Sequence, residues 1–359
     1  PGIQACFMMS KFNLLLIFIL SIFIFSCGSN NGKKKSDFSL QIPNNKAEFT
    51  LNDELQAKIV NSKDRNIDSI SFFFGDRYLK SSQNGTSLQL ELKDALLGNQ
   101  TLKAIVYSEE STDTITKNIK ILNSQAPVVY TYEIVNSYPH DMTSYTQGLE
   151  FHDGILYESA GQYGRSKLRK VELESGEVLD EIVLDDQYFA EGLTILNGKI
   201  YQLTWQEGEG FIYDLESFEK TGTFAYNQSE EGWGLCNNGE KIFKSDGTEK
   251  IWILDPETLA ERSYIQPTHH KSISTKLNEL EWVNGKIYAN TYQKDGVAII
   301  NPENGAIEGL INFSGLRDEV TQHDKLDVLN GIAYNPETEK LYVTGKNWDR
   351  IFEVKIVEK

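Results

Sequence analysis

The stretch Ala190–Trp205, A-E-G-L-T-I-L-N-G-K-I-Y-Q-L-T-W, is the unit from which most of this chain is built. A polar residue and a Gly lead into an apolar strand, an Asn-Gly turn, a second apolar strand and an aromatic. Asn-Gly between two apolar runs is the mark of a tight hairpin. The same order recurs four more times, at 146–159, 231–246, 277–292 and 329–348. Its equivalent apolar residues are Leu149, Leu193, Leu235, Leu280 and Ile332, spaced 44, 42, 45 and 52 apart. A period of that size, made of short strands and tight turns, predicts an all-β chain with a five-bladed β-propeller.

Outward from the repeats, the fifth has a single strand after its inner pair, R-I-F-E-V-K-I-V from Arg350. A partner for it stands at the other end, V-V-Y-T-Y-E-I-V from Val128. The propeller is therefore predicted over 128–359, its ring closed by strand 128–136 pairing with the C-terminal strand. Closure of this kind removes two exposed sheet edges. Upstream, 37–125 changes character into short alternating runs such as L-Q-A-K-I-V and T-L-K-A-I-V-Y, divided by turn residues. That pattern predicts a small immunoglobulin-like β-sandwich without its cysteines. It shows no constellation of reactive groups, so a spacer or docking role is expected of it.

Residues 8–27 read as targeting rather than fold. Lys11 supplies a positive charge, Leu14–Phe25 is almost wholly apolar, and I-F-S-C-G-S follows. The apolar run is too short for a comfortable membrane span. It resembles a bacterial lipoprotein signal, with Cys27 as the lipidated N-terminus and 28–36 as a polar tether. The expected location is the bacterial cell envelope, lipid-anchored, periplasmic or associated with the outer membrane.

The chain's 359 residues leave room for two domains, and 17 Tyr with 18 Phe suit a β-rich core. A formal charge of -17 argues against nucleic acid as a partner through a basic surface. Cys6, Cys27 and Cys236 offer no disulfide framework. The five histidines show no zinc spacing. A monomer is expected.

In an antiparallel pair the start of strand one and the end of strand two share a rim. Glu191 and Trp205 hold those places in the second repeat, and Asn278 and Tyr292 in the fourth. The fifth contributes Asn330 and Lys346, the first Tyr145 and Gln147, and the third Trp233. All should meet at one mouth of the channel, as a mixed aromatic and polar basin with one carboxylate and one ammonium. Singly, each has a plainer reading: aromatics cap hydrophobic layers, amides bond turn backbone, and a Glu before Gly is often solvated. The five repeats, however, place unlike polar groups at an equivalent position, which structural need alone would not favour. Glu158 is a rival carboxylate, mid-strand in Y-E-S.

The motifs S-Y-P-H-D with Y-T-Q-G-L, F-A-E-G-L-T with Y-Q-L-T-W, E-G-W-G-L, N-E-L-E-W with Y-A-N-T-Y, and L-N-G-I-A-Y with V-T-G-K-N-W run in order from about Tyr132 to Lys355. In this the chain resembles the plant and bacterial type of glutaminyl-peptide cyclotransferases, five-bladed propellers that turn an N-terminal Gln into pyroglutamate. The resemblance implies Glu191 as the catalytic acid, with Lys346 and Asn278 beside it. It implies a pocket of Tyr145, Gln147, Phe189, Trp205, Trp233, Tyr292 and Asn330. Tyr145 stands where the family usually has Phe and Tyr292 where it has Trp, so an aromatic wall is kept.

The implied partners are peptides or proteins with N-terminal Gln, and the membrane through the lipid anchor. The implied chemistry is proton transfer by a buried carboxyl, with Lys346, Asn278 or an indole N–H of Trp205 or Trp233 facing the oxyanion. It requires no cofactor. A structural divalent ion such as calcium in the channel stays open, because backbone carbonyls could bind it without a sequence signal. The alternatives are a non-catalytic propeller lipoprotein that binds peptide or sugar, and a metal-dependent lactonase.

Overall fold

The structure, a computed structural model, describes residues 36–83, 85–109 and 111–359. The signal segment 8–27, its Cys27 and most of the tether lie outside the described residues. Among the described residues no helix is long and apolar enough to cross a membrane, and regular structure is almost wholly β. Asp37–Lys359 forms one compact unit.

Its N-terminal part is two sheets over one core. Phe38–Gln41, Glu54–Asn61 and Ser87–Glu91 form the smaller. Glu48–Thr50, Ser111–Leu122, Gly98–Ser108, Ser69–Phe74 and Arg77–Ser82 form the larger. Alternation drives the layering: Glu54–Asn61 buries Leu55, Ala57 and Ile59 and turns the residues between them outward. Phe72 and Leu102 come from the other sheet to meet them. Strand Arg77–Ser82 has no counterpart in the sequence reading. It is an edge strand with no buried residue, so it carries no alternating signal.

From Thr146 onward each inner pair folds as its turn residues dictate. Ala190–Leu196 pairs antiparallel with Lys199–Thr204 around Asn197 (φ 52°) and Gly198 (φ 71°). Asp153-Gly154 and Asn284-Gly285 repeat that left-handed pair. The first, second and third repeats are each a four-stranded antiparallel sheet. The fourth and fifth join in one eight-stranded sheet through Val128–Pro139. That strand is antiparallel to Arg350–Glu358 on one side and parallel to Ile307–Asn312 on the other. The parallel seam is a feature that the repeats do not announce.

The inner strands Thr146–His152, Ala190–Leu196, Leu235–Asn237, Leu277–Val283 and Leu329–Asn335 each pack on the next, and the last packs on the first. Apolar clusters fill the spaces between neighbouring sheets. Leu168 meets Leu193 and Phe211, and Leu203 meets Leu235 and Trp252. Phe243 meets Leu280 and Ile287, Val297 meets Ile332, and Leu149 meets Tyr342. Each inner strand therefore has a sheet on both faces, and Ala190–Leu196 is buried along its whole length.

The hub is crowded. A Cβ on Gly192 would lie 2.6 Å from the Gly234 Cα, and one on Gly234 would lie 2.1 Å from the Asn278 carbonyl oxygen. The Gly of the repeated polar-Gly pair is what lets adjacent inner strands come this close. At this pair, Asn278-Glu279 standing in for it in the fourth repeat, the strand register slips, between Thr146 and Gly148, Ala190 and Leu193, Leu277 and Leu280, and Leu329 and Ile332. Such β-bulges kink a strand and re-aim a side chain. Gln147, Glu191, Asn278 and Asn330 occupy these slips.

Candidate active site

A cavity of about 300 Å³ opens at this end of the hub, lined by Tyr145, Gln147, Phe189, Glu191, Trp205, Trp233, Asn278, Tyr292 and Lys346. Its wall is a circuit of rings closed by two charged groups. Tyr145 meets Phe189 edge-on at 6.2 Å, and Phe189 meets Trp205 at 5.6 Å. Trp233 meets Tyr292 at 5.7 Å. Between Tyr292 and Tyr145 stands the Lys346 ammonium, 5.6 and 4.6 Å from their ring centres. Between Trp205 and Trp233 stands Glu231, whose Oε2 accepts both indole N–H groups at 2.8 Å.

Glu191 is buried inside this wall. Its Oε1 accepts a hydrogen bond from Gln147 Nε2 at 2.8 Å. Its Oε2 is buried with no partner among the described residues. Loss of solvent pushes the Glu191 carboxyl well above the usual range. The Lys346 charge opposes that shift, and the Glu231 and Glu207 charges add to it. Burial likewise lowers the Lys346 ammonium, against the pull of Glu191 and Asp327. The pair is thus one in which each member gives up its charge more readily than it would in water. A carboxyl so placed can both take a proton and return it.

Asn330 does not line the cavity but lies behind Gln147, with Nδ2 donating to the Thr146 carbonyl at 2.9 Å and to Gln147 Oε1 at 3.1 Å. Glu158 sits in another network. Its Oε1 takes Ser144 Oγ at 2.6 Å, Thr146 Oγ1 at 2.8 Å and His140 Nε2 at 3.0 Å. Burial opposes its charge, yet His140 and these donors hold Glu158 down at about 2. It anchors the segment that carries Tyr145 and Gln147.

Two parts of the sequence reading are corrected here. The indole N–H groups of Trp205 and Trp233 do not face the cavity as free donors, because Glu231 takes both. The mouth holds more than one acid: Glu231 is joined by Asp327, which accepts the Tyr145 hydroxyl at 3.0 Å. The signal for Glu231 was its place two residues before Trp233 in E-E-G-W-G. Asp327 sits in a loop and left none. Among the described residues no group of three or more His, Cys, Asp or Glu side chains is arranged to hold a metal ion. Glu150, Glu279 and Glu281, the acids of the inner strands besides Glu191, accept backbone N–H groups of Ile195, Ile332 and Tyr334.

The sequence model of a family described as glutamine cyclotransferase matches residues 102–356. That span begins inside strand Gly98–Ser108, upstream of Tyr132 where the motif resemblance starts. A curated relative, the glutaminyl-peptide cyclotransferase of Arabidopsis thaliana, is 37% identical over 227 residues, covering 62% of this chain and 71% of the relative. The crystal structure of Myxococcus xanthus glutaminyl cyclase is 35% identical and matches with a TM-score of 0.61, over 65% of this chain and 99% of that one. The chain shares the all-β, propeller-like fold of that structure.

Proposed function

The chain belongs to the glutamine cyclotransferase family and converts the N-terminal Gln of peptides to pyroglutamate with release of ammonia, and we propose that Glu191 moves the protons. The observation that carries this reading is a buried carboxyl with one oxygen held by Gln147 and the other unpartnered among the described residues, in a cavity sized for a Gln side chain.

The α-amine of the substrate attacks its own side-chain carboxamide carbon. The new C–N bond closes a five-membered ring, and the carbonyl oxygen gains negative charge. Glu191 Oε2 takes the proton that the amine sheds and returns it to the leaving nitrogen, which departs as ammonia. Lys346 and Asn278 are the donors for the oxyanion, the indoles being committed to Glu231. The aromatic wall holds the side chain curled, which removes rotational freedom before the reaction. No cofactor enters any step.

The test is Glu191→Gln assayed by ammonia release from a Gln-initiated peptide. A loss on the order of 10²- to 10⁴-fold in kcat is expected with an intact fold, and the wild type should keep its rate in chelator. Near-wild-type turnover by the folded variant rejects the role.

The same reading extends to the rest of the chain. The five mutually packed inner strands support 128–359 as a five-bladed propeller, and the two layers support 37–125 as an immunoglobulin-like sandwich. Lipidation at Cys27 would hold a monomer at the cell envelope, where it would act on peptides and proteins with an N-terminal Gln.

A further inference from the structure

We propose that Glu231 is a positioning residue for this reaction: it fixes the two tryptophan walls and supplies the negative charge against which Glu191 works. The inference rests on the cyclisation reading above.

The geometry is that of a built anchor. One oxygen takes Trp205 Nε1 from the second repeat and Trp233 Nε1 from the third, both at 2.8 Å. The other takes Gln206 Nε2 at 2.9 Å. A carboxylate at the lip of a cleft would ordinarily be left to water. Here three N–H donors converge on it, which favours the ionised form over the burial that opposes it.

The backbone beneath is fixed as well. The Glu231 carbonyl accepts Lys244 Nζ at 2.8 Å. Lys244 is itself fully buried in an ion pair with Glu261 at 3.0 Å. Trp233 is pressed from behind by Gly247, where a Cβ would come within 2.5 Å of the ring. The indole therefore has one available seat, and Glu231 pins it there.

The consequence for chemistry is twofold. Without the carboxylate the two indoles lose their shared acceptor, and the wall that keeps amine and carboxamide close is free to tilt. Without its charge, one of the repulsions that raise the Glu191 carboxyl is gone, so that carboxyl ionises at lower pH. The two effects separate by substitution. Glu231→Gln keeps an oxygen for the indoles and removes the charge, whereas Glu231→Ala removes both.

The experiment measures kcat, KM and the pH profile of kcat/KM for both variants, with tryptophan emission and a thermal melt as companions. Glu231→Ala should lose on the order of 10- to 100-fold, mainly in kcat. Glu231→Gln should keep most of kcat. In both, the acid limb of the profile should move to lower pH. Trp205 and Trp233 are two of five tryptophans, so Glu231→Ala should also shift the emission maximum.

Wild-type kcat and an unmoved limb in both variants overturn the proposal. If Glu231→Ala fails to fold, the Glu231→Gln limb decides alone. If the wild type itself releases no ammonia, it is the cyclisation reading that fails. The emission of Glu231→Ala then decides the positioning role, and an unchanged spectrum overturns it.

Discussion

Gln147 can turn either its carbonyl or its amide toward Glu191, and Asn330 decides which. By donating to Gln147 Oε1 at 3.1 Å, Asn330 leaves the Gln147 nitrogen facing the acid, where it donates at 2.8 Å. Asn330→Ala frees the carboxamide to rotate and aim its oxygen at Glu191. The expected result is a loss of about tenfold in kcat with little change in KM, and ~1–2 kcal/mol of stability from the orphaned Thr146 carbonyl. Wild-type kcat in that variant would show that the carboxamide needs no such guide. Gln147, Glu191 and Asn278 were legible in the sequence because unlike polar residues stand at one repeated position. Glu231 and Asp327 were hidden for the opposite reason. Their roles are set by donors such as the two indoles and the Tyr145 hydroxyl, which repeat alignment does not pair with them. Glu158 has the same lesson: its type says acid, and only His140, Ser144 and Thr146 say anchor.

At the scale of strands, the site is a product of bulges. An ideal inner strand would alternate its side chains between the two neighbouring sheets, and none would point along the hub. The slip at Gln147, Glu191 and Asn278 breaks that alternation where the strand enters, and the freed residue turns to the mouth. Gly192 is the tightest test of this. Its added Cβ would meet the backbone of Gly234 and Leu235 at 2.6 Å, atoms that cannot rotate away. Gly192→Ala should therefore part the second and third inner strands, costing ~1–3 kcal/mol and displacing Glu191 from Trp233's side of the cavity. A melt and a turnover assay that both match the wild type would mean that the hub is looser than these distances say. The inner hairpins were readable from their turn residues. Strand Arg77–Ser82 and the parallel seam of Ile307–Asn312 with Val128–Pro139 were not: the first buries nothing, and the second is a meeting of edges far apart in sequence.

Across the whole ring, two sets of acids pull stability in opposite directions with pH. Asp141 and Glu158 of the first repeat are held down at about 2, against burial, by Thr143 and Arg169 for the one and by His140 for the other. Their folded values lie below the ordinary 3.8 and 4.5, so the stability they contribute is present above those values and is lost as pH falls toward about 2. Glu150, Glu279 and Glu281 behave in reverse. Burial pushes Glu150 up to about 7 and the other two well above 4.5. Each accepts a backbone N–H from a neighbouring repeat, so these acids stitch inner strands that otherwise share no ladder. Being raised on folding, they contribute stability that is full below 4.5 and is lost as pH rises, for Glu150 through about 7. Tm should therefore peak on the mildly acidic side and decline both ways. Glu150→Gln mimics the protonated acid: its oxygen can keep Ile195 N, and its amide can face Thr194 Oγ1, now bonded to Glu150 Oε2 at 2.6 Å. The variant also removes a negative charge that raises both Glu279 and Glu281. Its Tm should fall less than that of the wild type between mildly acidic and mildly alkaline buffer, while the decline at low pH is unchanged. Parallel alkaline limbs for the two proteins would show that these carboxyls are not what weakens the ring.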